Sequence, residues 1–204
     1  GDYNTCVGGT AGTALQGGGS NTLIGAGAGD LIVSADNNVC IGQDAGNRIT
    51  GAGNTIVGTG ADASADAASN QNVFGKDAAG TGNDCVALGN TSVSSIKGQV
   101  SFGTYSDARI KRDIEDTDIG LNFIKELKPR KFKRVAPKDY PEPIRTEHDE
   151  LSSELKEPDN VIDGMVAQEV KETMDNMGIT FSGWSQGDNT KQELQYATFV
   201  MPLI

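Results

Sequence analysis

Residue types able to carry a reaction cluster in one short run, Ser106-Asp107-Ala108-Arg109-Ile110-Lys111-Arg112-Asp113-Ile114. A serine hydroxyl becomes a nucleophile only beside a proton acceptor. A lysine accepts that proton only where burial or neighbouring positive charge favours its neutral form. Lys111 follows Ser106 by five residues, and Arg109 and Arg112 are near enough in sequence to supply like charge. This spacing does not put both side chains on one helix face, so Ser106 is expected in an extended entry segment, with Lys111 reaching back from the next turn. The run reads more readily as a Ser106-Asp107 helix cap followed by a solvated basic face of Arg109, Lys111 and Arg112. On these nine residues alone that second reading is preferred, and it is the blocks further along the chain that reverse the preference. No other hydrolytic set competes, because the single histidine, His148, sits among acids in a segment that reads as loop. Three cysteines without a CxxC pair and one histidine make no metal set, so neither metal nor cofactor is expected.

The elements that must position this run differ sharply on its two sides. Residues 1–105 hold 22 of the 27 glycines, no proline, no glutamate and three basic residues, Arg48, Lys76 and Lys97. Residues 106–204 hold all six prolines, 14 of the 17 Lys+Arg and 20 of the 28 Asp+Glu. Two architectures are expected, 1–105 and 106–204, meeting at Tyr105/Ser106. A net charge of −11 without a basic patch argues against a nucleic-acid surface. No stretch reads as a signal peptide, and the longest apolar run falls short of the ~20 residues of a membrane helix. The chain is expected to be soluble and a piece of a longer polypeptide, since it starts inside a repeat and stops within the apolar run Val200-Met201-Pro202-Leu203-Ile204.

The first half is a repeat. Gly8, Gly25, Gly42, Gly58, Gly75 and Gly89 follow at intervals of 17, 17, 16, 17 and 14. Short blocks precede them, such as Asn21-Thr22-Leu23-Ile24 and Asn54-Thr55-Ile56-Val57. Each unit predicts a brief strand, a glycine turn and a return leg. The two apolar residues before each glycine must face opposite sides of the strand. One row fills the coil interior, and the other needs a partner surface, which points to association of identical chains and, as the favoured version, a homotrimer. Cys6 and Cys40 occupy the slot held elsewhere by Leu23, Ile56, Val73 and Ala87, so they are expected to pack as small hydrophobes. Among sharper readings of the glycines, a calcium-binding β-roll lacks an aspartate in every turn, with only Asp30 well placed. A phosphate loop lacks the Gly-Lys-Ser/Thr and a following helix. The blocks resemble the Asn-x-Val-x-Ile-Gly repeats of trimeric autotransporter adhesin heads and of many phage fibre shafts.

From residue 106 onward the chain resembles the S74 peptidase family, the intramolecular chaperone of endosialidase tailspikes and related fibres, whose opening motif is Ser-Asp-x-Arg-hydrophobic-Lys-x-Asp/Asn-Ile. The residues after Ile119 up to Pro129 resemble its first helix, and Phe132-Lys133-Arg134 its aromatic strand. Gly164-Met165-Val166-Ala167-Gln168-Glu169-Val170 resembles its Gly-Phe-Ile-Ala-Gln-Glu-Val block, and the run from Gln195 to Ile204 resembles the start of its terminal helix. Ile110 stands where the family often has Leu, and Met165 where it has a bulkier aromatic; both stay apolar. The resemblance implies autoproteolysis between Tyr105 and Ser106, with Ser106 as nucleophile, Lys111 as general base and Asp107, Arg109 and Asp113 in support. It implies a trimeric β-helix or β-roll shaft followed by a small α+β intramolecular chaperone. It also implies a tail fibre or spike of a phage particle, assembled in the host cytoplasm, meeting a host cell-surface receptor through the fibre, with the chaperone released after cleavage. The runner-up is a trimeric surface adhesin module that never cuts. A membrane-associated eukaryotic transcription factor using the same domain is disfavoured, because the acidic repeat lacks any DNA-binding feature.

Within the second half, Asp118 is expected to cap a helix running through Leu127 with an apolar stripe of Ile119, Phe123, Ile124 and Leu127. Residues 136–160 read as an insert or loop. Val166, Val170, Met174 and Met177 lie at helical spacing before a Gly178 stop. Ile179-Thr180-Phe181 and the residues from Gln192 to Tyr196 read as strands around a polar turn at Gly187-Asp188-Asn189, and 197–204 as the start of a longer trimerising helix.

Overall fold

The computed structural model describes residues 1–142, 144–145, 159–187 and 190–204. His148 lies outside the described residues, as do Asp188, Asn189 and much of the expected insert. The chain divides into two compact units, one built on Gly1–Val93 and the other on Ser94–Lys133, Asp159–Gln186 and Lys191–Ile204.

The first unit is a solenoid. Its six three-residue strands are β1 (Thr5–Val7), β2 (Thr22–Ile24), β3 (Val39–Ile41), β4 (Thr55–Val57), β5 (Asn72–Phe74) and β6 (Val86–Leu88). They form one parallel sheet in sequence order. Equivalent repeat positions are paired, so that Cys6, Leu23, Cys40, Ile56, Val73 and Ala87 run in one line across it. From Leu23 to Ala87 this line is buried, and columns on the other legs of the coil meet it, Ala28-Ala45-Ala61-Ala78 and Ile32-Ile49 among them. Cys40 is inside, and burial, with the Asp62 charge as a lesser cause, pushes its thiol up to about 12. Cys6, on the terminal strand, is exposed. Glycine closes each strand because successive coils nearly touch there. A Cβ on Gly25, at φ +133°, would sit 2.4 Å from the Gly42 carbonyl oxygen, and that φ is strained for other residues.

The amide residue that opens each block from the second to the fifth is buried, with Asn21, Asn38, Asn54 and Gln71 at 0–1 % exposure. Their amides form a ladder. Asn4 Oδ1 accepts from the Asn21 backbone and side-chain amides, both at 3.0 Å. Asn21 Oδ1 accepts from Asn38 N at 2.9 Å, Asn38 Oδ1 from Asn54 N at 2.9 Å, and Asn54 Oδ1 from Gln71 N at 3.0 Å. Each Nδ2 also donates to a return-leg carbonyl, those of Ala35, Gly51 and Ala68 for Asn21, Asn38 and Asn54. Buried polar groups are tolerated because they are paired in this way.

The outer row of the strands is left uncovered within the chain. Val7 is 57 %, Leu88 46 %, Ile24 and Phe74 38 % and Ile41 37 % exposed, and Val57 is half-buried. The sequence expectation that both faces of the strands are buried therefore holds for one face of the single chain.

The second unit is small and α+β, with a core of Phe123, Val170, Met174, Phe181 and Phe199. Helix α1 spans Leu121–Glu126 and buries Phe123; Ile119, Ile124 and Leu127 pack against the core. Its N-cap is Gly120 without a side-chain cap bond, in place of the expected Asp118. Helix α2 spans Ala167–Met177, buries Val170 and Met174, and stops at Gly178 in the left-handed region. Strands β7 (Arg130–Phe132) and β8 (Ile162–Gly164) pair antiparallel, as do β9 (Trp184–Gln186) and β10 (Gln192–Leu194). The expected strand at 179–181 is absent, because Phe181 instead turns into the core, 5.1 Å from the Phe123 ring and 4.8 Å from Phe199. The terminal apolar run is a 3-10 helix, Tyr196–Leu203, with Pro202 inside it; proline cannot donate the backbone bond that a continuing α-helix uses.

Two contacts explain the Gly164–Val170 block. Tyr196 Oη accepts from Met165 N at 2.9 Å, and a Cβ on Gly164 would stand 2.7 Å from that oxygen. Arg130 grips Glu169 through Nε at 2.9 Å and Nη2 at 2.6 Å, holding the Glu169 carboxyl below its ordinary 4.5.

Two outcomes follow from this packing. Asn38→Ala leaves the Asn54 amide and the Gly51 carbonyl without partners and is expected to cost about 1–3 kcal/mol in chemical denaturation, against a few tenths for Thr22→Ala; equal small losses would show that the ladder does not hold the coil. A carboxyl with a depressed folded pKa stabilises above its unfolded value and loses that contribution as pH falls through the folded one. The gap in melting temperature between the parent and Arg130→Gln should therefore be present at neutral pH and close on acidification below 4.5; a gap independent of pH would exclude the pair as its source.

Candidate functional site

Residues 91–118 are all exposed, and the expected chemistry lies in this stretch. Ser94 to Ser106 is without helix or strand, and a single 3-10 turn, Ala108–Ile110, follows. Asp107 caps that turn, its carboxylate accepting from Arg109 N at 2.8 Å. Ile110 N donates to the Asp107 carbonyl, and Lys111 N to the Ala108 carbonyl, both at 3.2 Å. The turn folds the chain back so that Lys111 Nζ lies 2.7 Å from Ser106 Oγ. Structure thus brings together two side chains that sequence spacing alone left as either a dyad or a cap with a basic face. Both descriptions fit parts of it: Asp107 is a cap, and Lys111 nonetheless bonds to Ser106.

The flanking charges are paired. Arg109 binds the Asp107 carboxylate through Nε, at 3.0 and 3.1 Å, and through Nη2. This guanidinium holds the Asp107 carboxyl below its usual range, with the backbone amide of Arg109 as a second cause. Arg112 and Asp113 lie 3.6 Å apart, and Asp113 adopts φ +52°, turning the chain after the motif. The two arginines that sequence offered as sources of like charge near Lys111 therefore each face a carboxylate. What remains to favour a neutral lysine is burial, and in the single chain Lys111 and Tyr105 are both exposed.

Other candidate sites gather less. A groove of about 380 Å³ between α1 and α2 is lined by Asn122, Lys125, Glu126, Glu172 and Met177 among others; none of the six expected site residues lines it. Asp30, the aspartate at β-roll spacing, has one carboxylate oxygen buried without a hydrogen-bond partner. Among the described residues no three His, Cys, Asp or Glu side chains come together as a metal set, and no helix is long and apolar enough to cross a membrane. Sequence reading missed the buried asparagines of the repeat; their recurrence at the repeat period was the available signal.

Comparison with known families places the motif in context. The family Peptidase_S74, described as chaperone of endosialidase, matches residues 106–179, which supports the S74 chaperone resemblance over that stretch. The match begins at Ser106 and takes in Lys111, α1, β7, β8 and α2. No curated protein and no solved structure matches the chain significantly.

Proposed function

We propose that an S74-type chaperone domain, residues 106–204, drives three copies of this chain to associate and fold their repeat solenoids, residues 1–105, and then cuts itself off between Tyr105 and Ser106. The product is the C-terminal part of a phage-type tail fibre or spike, carried on the particle and meeting a host-surface receptor through the fibre. The observation that carries this reading is the 2.7 Å contact of Lys111 Nζ with Ser106 Oγ at the first residues of the family match.

The chemistry follows from that contact. Ser106 lies on the far side of the bond to be cut, so its Oγ attacks the Tyr105 carbonyl carbon while Lys111 Nζ takes the hydroxyl proton. The bond from the Tyr105 carbonyl carbon to the Ser106 nitrogen breaks, and the nitrogen receives the proton. An ester between Tyr105 and the Ser106 side chain remains. One water hydrolyses it, leaving a Tyr105 carboxylate and a free amine on Ser106. An amine in bulk water is protonated near neutrality, so the step waits for Lys111 to be covered. Association of the copies provides that cover and makes cleavage a report on assembly.

The outer apolar row of the solenoid supports the assembly half of the reading. Val7, Ile24, Ile41, Val57, Phe74 and Leu88 recur once per coil on one face, and a like row on another copy has the same period and the same chemistry. Pairing repeats from separate chains in register is slow, and misregistered chains expose strand edges. A domain that associates first raises the effective concentration of the solenoids. Its later removal leaves a shaft whose stability is kinetic. The exposure of Lys111 in the single chain favours one alternative, a trimeric adhesin module whose chaperone associates without cutting.

In the full-length protein, mass spectrometry should find two fragments meeting at Tyr105/Ser106, with cleavage slowed roughly a hundredfold or more in Ser106→Ala and Lys111→Ala. An uncut parent that still trimerises would leave the adhesin reading. Ile41→Asp, placed on the outer row, should keep the inward packing of the coil yet lose the shaft trimer in sedimentation; an unchanged trimer would move the interface elsewhere.

A further inference from the structure

We infer that the Asp107–Arg109 pair positions the Ser106–Lys111 dyad and balances its charge, Asp107 and Arg109 acting through the dyad and taking no part in bond breaking. The inference rests on the cleavage reading above.

The geometric half concerns how two residues five apart come into contact. In an extended chain they would be separated by roughly 17 Å, and on an α-helix they would point to different faces. Contact at 2.7 Å needs one tight turn between them, and the 3-10 turn Ala108–Ile110 is that turn. It buries no residue, and a three-residue helix is not stable by itself. Its support is the Asp107 side chain, which caps the turn at the Arg109 amide and is in turn held by the Arg109 guanidinium. A single residue thus reads out to both ends of the dyad. Asp107 is bonded to Ser106 on one side, and the turn it caps delivers Lys111 on the other.

The electrostatic half concerns the proton. Asp107 adjoins the nucleophile, and an unpaired carboxylate there would favour the ammonium form of Lys111, which cannot accept a proton. Arg109 offsets that charge. Among the other charged groups nearby, Arg112 and Asp113 face each other at 3.6 Å, and Glu115 and Asp116 follow in the exposed chain. Among the described residues Lys111 is exposed, as is every residue from 91 to 118, and its side chain bonds to Ser106. Removing one partner of the Asp107–Arg109 pair therefore exposes the charge of the other, with opposite consequences for Lys111.

The test is the pH dependence of cleavage in the full-length protein, followed by mass. Asp107→Asn keeps the capping oxygen and leaves Arg109 as an uncompensated cation, so the rising limb of the rate profile should move to lower pH. Arg109→Gln leaves the Asp107 carboxylate uncompensated, and its limb should move to higher pH. In the covered site, where one charge acts through less water, rates on the limb should lie severalfold from the parent, in opposite directions for the two variants. Asp107→Ala, without a cap, should lower the rate at every pH, and Asp107→Ser, a capping residue without charge, should restore much of it. Limbs that stay with the parent, or that shift in the same direction, overturn the inference while leaving the cleavage reading standing. A parent as uncut as Ser106→Ala removes that reading and this inference together.

Discussion

The first unit depends on one constraint, that a buried amide must be paired. Asn21, Asn38, Asn54 and Gln71 stand inside the coil, and each side-chain oxygen meets the backbone N–H of the next member or, for Gln71, the N–H of Ser64. The ladder can form only if successive coils begin at equivalent positions. A slip of one residue would set Asn21 level with Val39 and Leu23 level with the outward Ile41, leaving the amides unpaired and the inward row against the outer one, and both errors are costly. Register is therefore set by polar pairing, while the apolar columns supply the non-directional part of the stability. Gln71 shows the limit of the pattern. Its longer side chain swings to Ser64, accepting from Ser64 N at 3.0 Å and donating to Ser64 Oγ at 2.6 Å, and the repeat shortens to 14 in the next interval.

That solution satisfies the interior and leaves the exterior open. An outward apolar row with the period of the coil is uncovered in the single chain, and the candidate dyad is uncovered as well. Both call for the same remedy, a neighbouring surface.

The chaperone unit is held differently. Three phenylalanine rings from separate parts of the chain meet in its centre, and two specific contacts, Arg130 with Glu169 and Met165 with Tyr196, tie distant segments together. These contacts give physical content to the Gly164–Val170 block. Glycine leaves room for a tyrosine hydroxyl, glutamate receives a guanidinium, and valine enters the core.

Sequence by itself determined the division into two architectures, the repeat with its inward row from Leu23 to Ala87, and α2 with its Gly178 stop. These are readable because they rest on local periodicity and on residue types with few alternatives. It also singled out Ser106 and Lys111 as a pair worth joining, while leaving the same run open to a bland reading. Only tertiary structure decided that the repeat asparagines are interior, because the same residue type serves surface turns equally well. Only tertiary structure turned Phe181 from a strand position into a core ring, and moved the first helix cap from Asp118 to Gly120. The contact between Ser106 and Lys111 was decided there too. Five residues of spacing permit many separations, and a turn capped by Asp107 selects the one at which a hydroxyl and an amine touch.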